Sequence, residues 1–256
     1  MPNASSLSVS AIAAALAELA PRFDVDVLDE CDSTNARLLE RAEAGAASGS
    51  VIVAERQTAG RGRMGRVWLS APGDSLTFSL LWRFARGTSM GGLSLAVGVA
   101  LAEVLGASGV ALKWPNDVLL GGRKLAGVLI ELVPGEPNAA VIGVGLNLRL
   151  PAALPEELRA QATALETDTS ASELLGRLLV ALHGVLEKFA AGGFVALRER
   201  WQHYCAHFGT PVSILSEFAA PIDGRCVGVD ADGALLVEAG GCVQRILSGD
   251  VSLRAA

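Results

Sequence analysis

The sequence has few cysteines, and none of them form a close pair. Its four cysteines stand at positions 31, 205, 226 and 242. With the three histidines they show neither a Cys-x-x-Cys pair nor the spacings typical of metal sites. We therefore expect no structural metal centre, and four buried free thiols in a protein of the reducing cytoplasm.

Positive charge is also scarce. The 256 residues include 21 Lys and Arg against 27 Asp and Glu, which gives a formal net charge of -6 and a pI near 5.2. An acidic balance argues against a nucleic-acid-binding surface spread over the molecule. A local basic pocket stays compatible with it.

Long uninterrupted apolar runs are missing as well. The alanine-rich stretch 11–20 follows no Lys or Arg, so it lacks the positive segment of a signal peptide and instead predicts an amphipathic helix. No later stretch of 18 or more residues is apolar throughout, which predicts no membrane span. Hydrophobic residues nevertheless make up 51% of the chain, enough for one full domain and a small second one.

Periodicity and composition predict an α+β domain over residues 1–209, with helices flanking one mixed sheet. Helices are predicted at 8–19, 33–44, 91–105, 172–189 and 194–203. Strands are predicted at 51–57, 75–83, 111–114, 118–120, 128–133 and 140–148, so that two helices precede the first strand.

The pattern changes after Gly209. Short strand-like pieces follow at 212–215, 225–229, 235–238 and 243–247, with turn signals at 223–224, 232–233 and 240–241. Such regular spacing predicts a small β-barrel or sandwich over residues 210–256.

Residues 60–68 concentrate positive charge in this acidic chain. The segment contains arginines at 61, 63 and 66 and glycines at 60, 62 and 65. Glycine allows backbone N–H groups to approach a ligand, and arginine offers forked donors to phosphate or carboxylate groups. The glycine spacing formally fits a dinucleotide fingerprint, but residues 68–73 continue as a loop instead of a helix, and no acidic residue stands about 20 positions on. An anion site is favoured over a Rossmann loop.

Three further motifs accompany this loop. Residues 113–117 read Lys-Trp-Pro-Asn-Asp, residues 124–131 place a lysine at the start of a strand, and residues 143–147 place two glycines inside a strand. Asn-Asp is also a common turn, and a lysine at a strand end is often only solvated. Glycines within a strand favour close approach of a ligand or another backbone.

Taken in order, these motifs carry a family resemblance. The set comprises residues 32–35, Gln57, 60–68, 113–117, 124–131, 143–147 and the closing 249–254. The chain resembles the biotin-protein ligase family over nearly its whole length. The resemblance implies a class II synthetase-like catalytic domain followed by an SH3-like barrel. It also implies a reaction in which biotin and ATP give biotinyl-5'-AMP, whose biotinyl group is passed to a lysine of a carboxylase carrier domain.

The resemblance also assigns the site. For biotin it implies Ser33, Thr34, Asn35, Gln57, Arg61, Gly62, Arg63, Lys124, Gly127 and Gly143. For ATP it implies Arg61, Arg63, Trp68, Asn116, Lys124 and Asn147. For catalysis it implies Arg63, Lys124, Lys113 and Asp117. Mg²⁺ is expected mainly on the ATP phosphates, with Asp117 either orienting the metal or accepting a proton.

Partners and rival functions follow from the same comparison of motifs. Residues 32–35 come too early to leave space for the DNA-binding domain of some family members, so we expect no specific DNA binding. The oligomeric state stays open between a monomer and a homodimer. The alternatives are a lipoate-protein ligase, which uses the same adenylate chemistry, and a non-catalytic regulator that binds biotin or nucleotide.

Overall fold

The computed structural model describes residues 7–106, 109–151, 154–216, 220–247 and 251–255. Its larger sheet has seven strands in the order β1-β2-β3-β7-β6-β5-β4. Only β1 and β2 are parallel, and all other neighbours are antiparallel. The strands are β1 Asp24–Cys31, β2 Ser50–Gln57, β3 Ser75–Arg83, β4 Val110–Lys113, β5 Asp117–Leu120, β6 Arg123–Val133 and β7 Glu136–Asn147.

Helices cover both faces of this sheet. They are α1 Val9–Leu16, α2 Thr34–Glu43, α3 Leu93–Leu105, α4 Glu156–Gln161, α5 Ala171–Gly192 and α6 Arg198–Tyr204. Helices α1, α3 and α5 bury the main core on one face. Helix α2 packs on the opposite face, where Leu38 and Ala42 join a smaller buried cluster that includes Val141. The α+β class and the single mixed sheet are as predicted.

A second, antiparallel sheet follows in the order β11-β10-β9-β8-β12. It docks on the larger sheet through the turn between β9 and β10. The buried Trp114 indole donates to the Gly233 carbonyl at 3.0 Å. A Cβ at Gly233, whose φ is +79°, would lie 2.6 Å from the Gly92 backbone, so only glycine fits this contact. The strands are β8 Pro211–Ser216, β9 Ile222–Val229, β10 Leu235–Ala239, β11 Cys242–Ile246 and β12 Val251–Ala255.

Asp230 holds this docking turn together. Its carboxylate accepts from the backbone N–H groups of Asp232 and Ala234 and from Arg245. Burial alone would raise the pKa of Asp230, but these donors outweigh burial and lower the pKa below its usual value.

A lowered pKa in the folded state means that Asp230 stabilises the fold at neutral pH and loses this effect as the pH falls through that pKa. We expect Asp230→Asn to lower the free energy of unfolding by about 1 kcal/mol at pH 7. The difference from the parent should shrink towards pH 3, as measured by urea unfolding at several pH values. Asp29→Asn, at an exposed carboxylate, is the control. A difference independent of pH would contradict this role.

Several predicted elements were wrong in position or missing. Strand β1 was not predicted, although Val25 and Val27 alternate with acidic residues in the period of a half-buried strand. Residues 223–224, predicted as a turn, lie inside β9, where a Cβ at Gly224 would lie 2.5 Å from a carbonyl of β10. The helix predicted at 194–203 divides into a 3-10 turn and α6. Helix α4 and strand β12 were also missed.

The four cysteines are free, as predicted, but not all are buried. Cys31 and Cys226 are buried, Cys205 is half-buried and Cys242 is exposed on β11. The expectation of burial was therefore wrong for Cys242. Among the described helices, none is long and apolar enough to cross a membrane.

Candidate active site

The predicted site residues meet on the face of the larger sheet that α2 covers. Strand pairing aligns Lys113, Asp117, Gly127, Gly145 and Thr77 in one row across five strands. Directly paired residues project to the same face, so this row has a cation and a carboxylate at one end and two glycines at its centre. The glycines leave a trough in the sheet surface.

Side chains approach the trough floor closely. A Cβ at Gly143 would lie 2.2 Å from Asn35 Oδ1, and a Cβ at Gly145 would lie 2.3 Å from the Trp68 indole. Both distances are far below van der Waals contact, so no other residue type fits without displacing these groups. The close approach that was predicted for a ligand or another backbone is made at these two glycines by the Asn35 and Trp68 side chains.

The N-terminus of α2 forms one wall of the trough. Ser33 caps the helix by accepting from the Ala36 N–H. Thr34 donates its N–H and its hydroxyl to Gln57 Oε1, at 2.7 and 3.1 Å. Ser33, Thr34 and Asn35 are each less than 5% exposed. The structure therefore brings together four residues that the resemblance assigned to biotin.

Asn35 belongs to a buried polar network. Ser79 Oγ lies 2.6 Å from Asn35 Oδ1 and 2.8 Å from Thr34 Oγ1. Asn35 Nδ2 donates to Glu131 Oε2 at 2.7 Å. Both ends of the Asn35 amide are thus held by neighbouring side chains. These contacts fix the orientation of Asn35 in the wall of the trough.

The arginine loop, residues 60–68, folds as a short hairpin above the trough. Trp68 N–H donates to the Gly60 carbonyl at 2.9 Å, and Gly62 N–H donates to the Arg66 carbonyl at 2.7 Å. A 3-10 turn closes the tip, where Met64 and Gly65 have φ of +57° and +70°. No helix follows, so the dinucleotide fold is excluded for this loop.

Arg63 is the most buried guanidinium of the loop. Its Nη1 donates to Asn116 Oδ1 at 3.4 Å. Desolvation lowers the pKa of Arg63 from its ordinary value, while Asp117 opposes this shift and Arg66 adds to it. Arg63 also lines a cavity of about 430 Å³ shared with the start of α3 and the turn at Gly233. A desolvated cation beside a cavity favours an anionic ligand.

Lys124 lies beside Gly127 in the trough. Its Nζ is 2.6 Å from Asp117 Oδ1 and 5.9 Å from the centre of the Trp68 ring. A Cβ at Gly127 would stand 3.3 Å from the end of this lysine. Lys113 sits beside Asp117 in the strand register, so the two predicted lysines are on opposite sides of one carboxylate.

Asn116 and Asn147, which the resemblance assigned to ATP, also donate hydrogen bonds to backbone carbonyl groups. Asn116 Nδ2 donates to the Val128 carbonyl at 2.7 Å. Asn147 Nδ2 donates to the Thr163 carbonyl at 3.0 Å. Asn147 therefore fastens the segment around Thr163 beside the start of β6. This segment was not predicted to belong to the site, and no motif marked it.

Family profiles match most of the catalytic region and the second sheet. The Biotin/lipoate A/B protein ligase family matches residues 27–147, and the Biotin protein ligase C terminal domain matches residues 207–254. The first description covers both biotin and lipoate enzymes, whereas the second names biotin ligases alone. The chain belongs to the biotin protein ligase family.

Individual relatives agree with this membership. The chain is 38% identical to the bifunctional ligase/repressor BirA of Escherichia coli over 91% of this chain and 74% of that protein. It is 33% identical to the biotin--[acetyl-CoA-carboxylase] ligase of Mycobacterium tuberculosis over 89% of this chain and 88% of that protein. The biotin protein ligase of Aquifex aeolicus, solved with biotin and ATP, superposes with a TM-score of 0.79 at 33% identity, covering 91% and 99% of the two chains.

This protein thus shares its fold with a solved biotin protein ligase. The predicted family and fold class are confirmed. The second matched region begins at residue 207, and the division at residue 209 stays a prediction. The closing motif at 249–254 falls partly outside the described residues, since 249 and 250 are not among them.

Proposed function

We propose that this protein activates biotin with ATP to biotinyl-5'-AMP, releasing pyrophosphate, and then transfers the biotinyl group to a lysine of a carrier domain. The observation that carries this proposal is that Arg63, which contacts Asn116, and Lys124, which contacts Asp117 beside Gly127, both lie at the glycine trough. That trough is walled by the buried polar groups of Thr34 and Gln57. Family membership supports the same reaction.

The first step brings two anions together. A carboxylate oxygen of biotin attacks the α-phosphorus of ATP, and the bond to the bridging oxygen breaks so that pyrophosphate leaves. Two unit charges 4 Å apart repel by about 4 kcal/mol at an effective dielectric of about 20. Lys124 and Arg63 offset this repulsion, while Arg61 and the Gly62 backbone enclose the ligand. Trp68, Asn116 and Asn147 border the nucleotide.

Mg²⁺ would assist by neutralising phosphate charge. Among the described residues, no three His, Cys, Asp or Glu side chains gather to hold a metal ion. We therefore assign the ion to the ATP phosphates, as it is usually carried by phosphates and one or two carboxylates. Asp117 is the nearby carboxylate, held by Lys124.

The second step consumes the mixed anhydride. The carrier lysine amine attacks the biotinyl carbonyl carbon, AMP leaves, and the amine gives up a proton. We assign Asp117 to accept that proton, because it is a carboxylate at the trough, 2.6 Å from Lys124 and paired with Lys113 in the sheet.

The adenylate must be shielded from water until the carrier arrives. We expect the arginine loop to tighten over biotin and ATP, because its guanidinium groups then gain anionic partners. Trypsin cleavage after Arg61, Arg63 and Arg66 should slow at least about tenfold with biotin and MgATP, measured by mass spectrometry. Cleavage after Arg86, which is exposed in the turn that follows β3, serves as the internal control. Equal rates in both conditions would contradict loop closure.

Pyrophosphate release tests the activation step. The protein should release pyrophosphate from MgATP when biotin is present and remain inactive with lipoate. Release with lipoate alone would favour the lipoate ligase. No release with either acid, despite binding of biotin, would favour the non-catalytic regulator.

We further propose that the acceptor is the biotin carboxyl carrier domain of a carboxylase and that the reaction takes place in the cytoplasm. Free thiols in all four cysteines support a reducing compartment. Specific DNA binding is not expected of this chain, and a gel shift at physiological salt checks this. Sedimentation with and without biotin and ATP distinguishes a monomer from a homodimer.

A further inference from the structure

Glu131 stands where the arginine loop meets the buried polar network. It lies on β6, and its side chain is 27% exposed. One carboxylate oxygen accepts from Asn35 Nδ2 at 2.7 Å, and the other is 3.3 Å from Arg61 Nη2.

The contact with Asn35 decides which way that amide points. An amide presents a donor on one side and an acceptor on the other. Because Glu131 in its ionised form only accepts, it takes the Asn35 donor, so the acceptor Oδ1 faces Ser79. Ser79 also contacts Thr34, and Thr34 donates twice to Gln57. A continuous chain of polar contacts therefore runs from Glu131 to Gln57 along this wall of the trough.

The contact with Arg61 links the same carboxylate to the loop. Arg61 pairs with Val67 across the loop hairpin, so holding Arg61 also holds the hairpin stem. The pair is partly exposed, and such pairs contribute little to overall stability. Its consequence is instead local, because it places the loop over the trough before any ligand is present.

We propose that Glu131 is a positioning residue that ties the arginine loop to the biotin-facing wall through Asn35. This inference rests on the proposed biotin ligase function. Glu131 does not touch the reacting atoms; it orients Asn35 and, through Ser79 and Thr34, Gln57. Loss of Glu131 weakens the binding of biotin equally in the ground state and in the transition state. The KM for biotin therefore rises, while kcat stays nearly unchanged.

Two substitutions separate its two contacts. Glu131→Ala removes both, and we expect the KM for biotin to rise about tenfold, or about 1.4 kcal/mol, with kcat within about threefold of the parent. Glu131→Gln keeps an acceptor for Asn35 but removes the charge that pairs with Arg61. It should restore the KM for biotin to within about twofold of the parent, while the ligand-free loop is cleaved by trypsin faster than in the parent, as in Glu131→Ala.

Glu103→Gln is the matched control, because Glu103 forms a similarly exposed ion pair with Arg200 between α3 and α6. It should change neither the KM for biotin nor loop cleavage. The proposal is overturned if Glu131→Ala keeps the parent KM, if Glu131→Gln raises KM as much as Glu131→Ala, or if loop cleavage is unchanged in both. Melting temperatures of all variants show whether Glu131→Ala is folded, and Glu131→Gln tests the proposal if it is not.

The outcomes also separate this inference from the proposed function. If the parent releases no pyrophosphate with biotin, the proposed function fails, whereas the ligand-free cleavage rates still report on the Glu131 and Arg61 contact. If the parent is active and the variants have the same KM for biotin and the same loop cleavage as the parent, only the proposed role of Glu131 is contradicted.

Discussion

Replacing Lys124 by glutamine is expected to lower kcat/KM for biotin-dependent pyrophosphate release by about 10³-fold. The estimate follows from the repulsion of about 4 kcal/mol between two anions that Lys124 offsets, since about 1.4 kcal/mol corresponds to a factor of ten. The loss should fall mainly on kcat, because the repulsion is greatest when the biotin carboxylate meets the α-phosphate. Loss of Lys124 also removes the ammonium group that lies 2.6 Å from Asp117. The negative charge of Asp117 is then no longer balanced by Lys124 and repels the phosphates.

Lys188→Gln is the control for a lost positive charge, because Lys188 is exposed on α5. Its kcat/KM should equal that of the parent. Lys124→Arg should retain part of the activity, since it keeps the charge but not the compact ammonium that packs beside Gly127. If Lys124→Gln releases pyrophosphate within about tenfold of the parent, Lys124 does not carry the charge compensation assigned to it.

Replacing Gly145 by alanine is expected to lower kcat/KM for ATP by about 10²-fold, the loss typical when a group at the site is misplaced by about 1 Å. The new Cβ would stand 2.3 Å from the Trp68 indole. The backbone cannot yield, because Gly145 pairs with Thr77 on one side and Gly127 on the other in the middle of the sheet. Trp68 must therefore leave the trough. Steady-state kinetics with varied ATP measure the loss.

Tryptophan fluorescence reports the displacement directly. Trp82, Trp114 and Trp201 are at most 8% exposed, so a change in emission or quenching comes chiefly from Trp68. Gly184→Ala is the control, because a Cβ at that position of α5 meets nothing within 4 Å and alanine favours a helix. Unchanged fluorescence in Gly145→Ala would contradict the displacement of Trp68. Changed fluorescence with an unchanged kcat/KM for ATP would show that Trp68 has no role in holding ATP.

Local chemistry made much of the site predictable. The arginine loop, the lysine at the start of β6 and the glycines of β7 each need a particular residue type at a particular point, and the sequence displays those types openly. The same holds for the strand from Ser75 to Arg83, whose apolar residues are buried on both faces of a central strand. Positions of this kind can be recognised before any fold is known.

Pairings between distant parts of the chain could not be predicted. Glu131 lies 70 positions from Arg61 and 96 from Asn35, and nothing in their local sequence announces a shared partner. Ser79 is one small polar residue in an apolar strand, and only the sheet register shows that it faces Asn35. Strand β1 is a different case, because its alternation was visible and its acidic content obscured it.

The most direct measurement is the mass of a purified biotin carboxyl carrier domain after incubation with this protein, biotin and MgATP. The proposed two-step reaction predicts that one lysine of the carrier gains a single biotinyl group, only when biotin, ATP and the protein are all present. A carrier whose mass is unchanged under these conditions, while a known biotin ligase labels the same preparation, would contradict it.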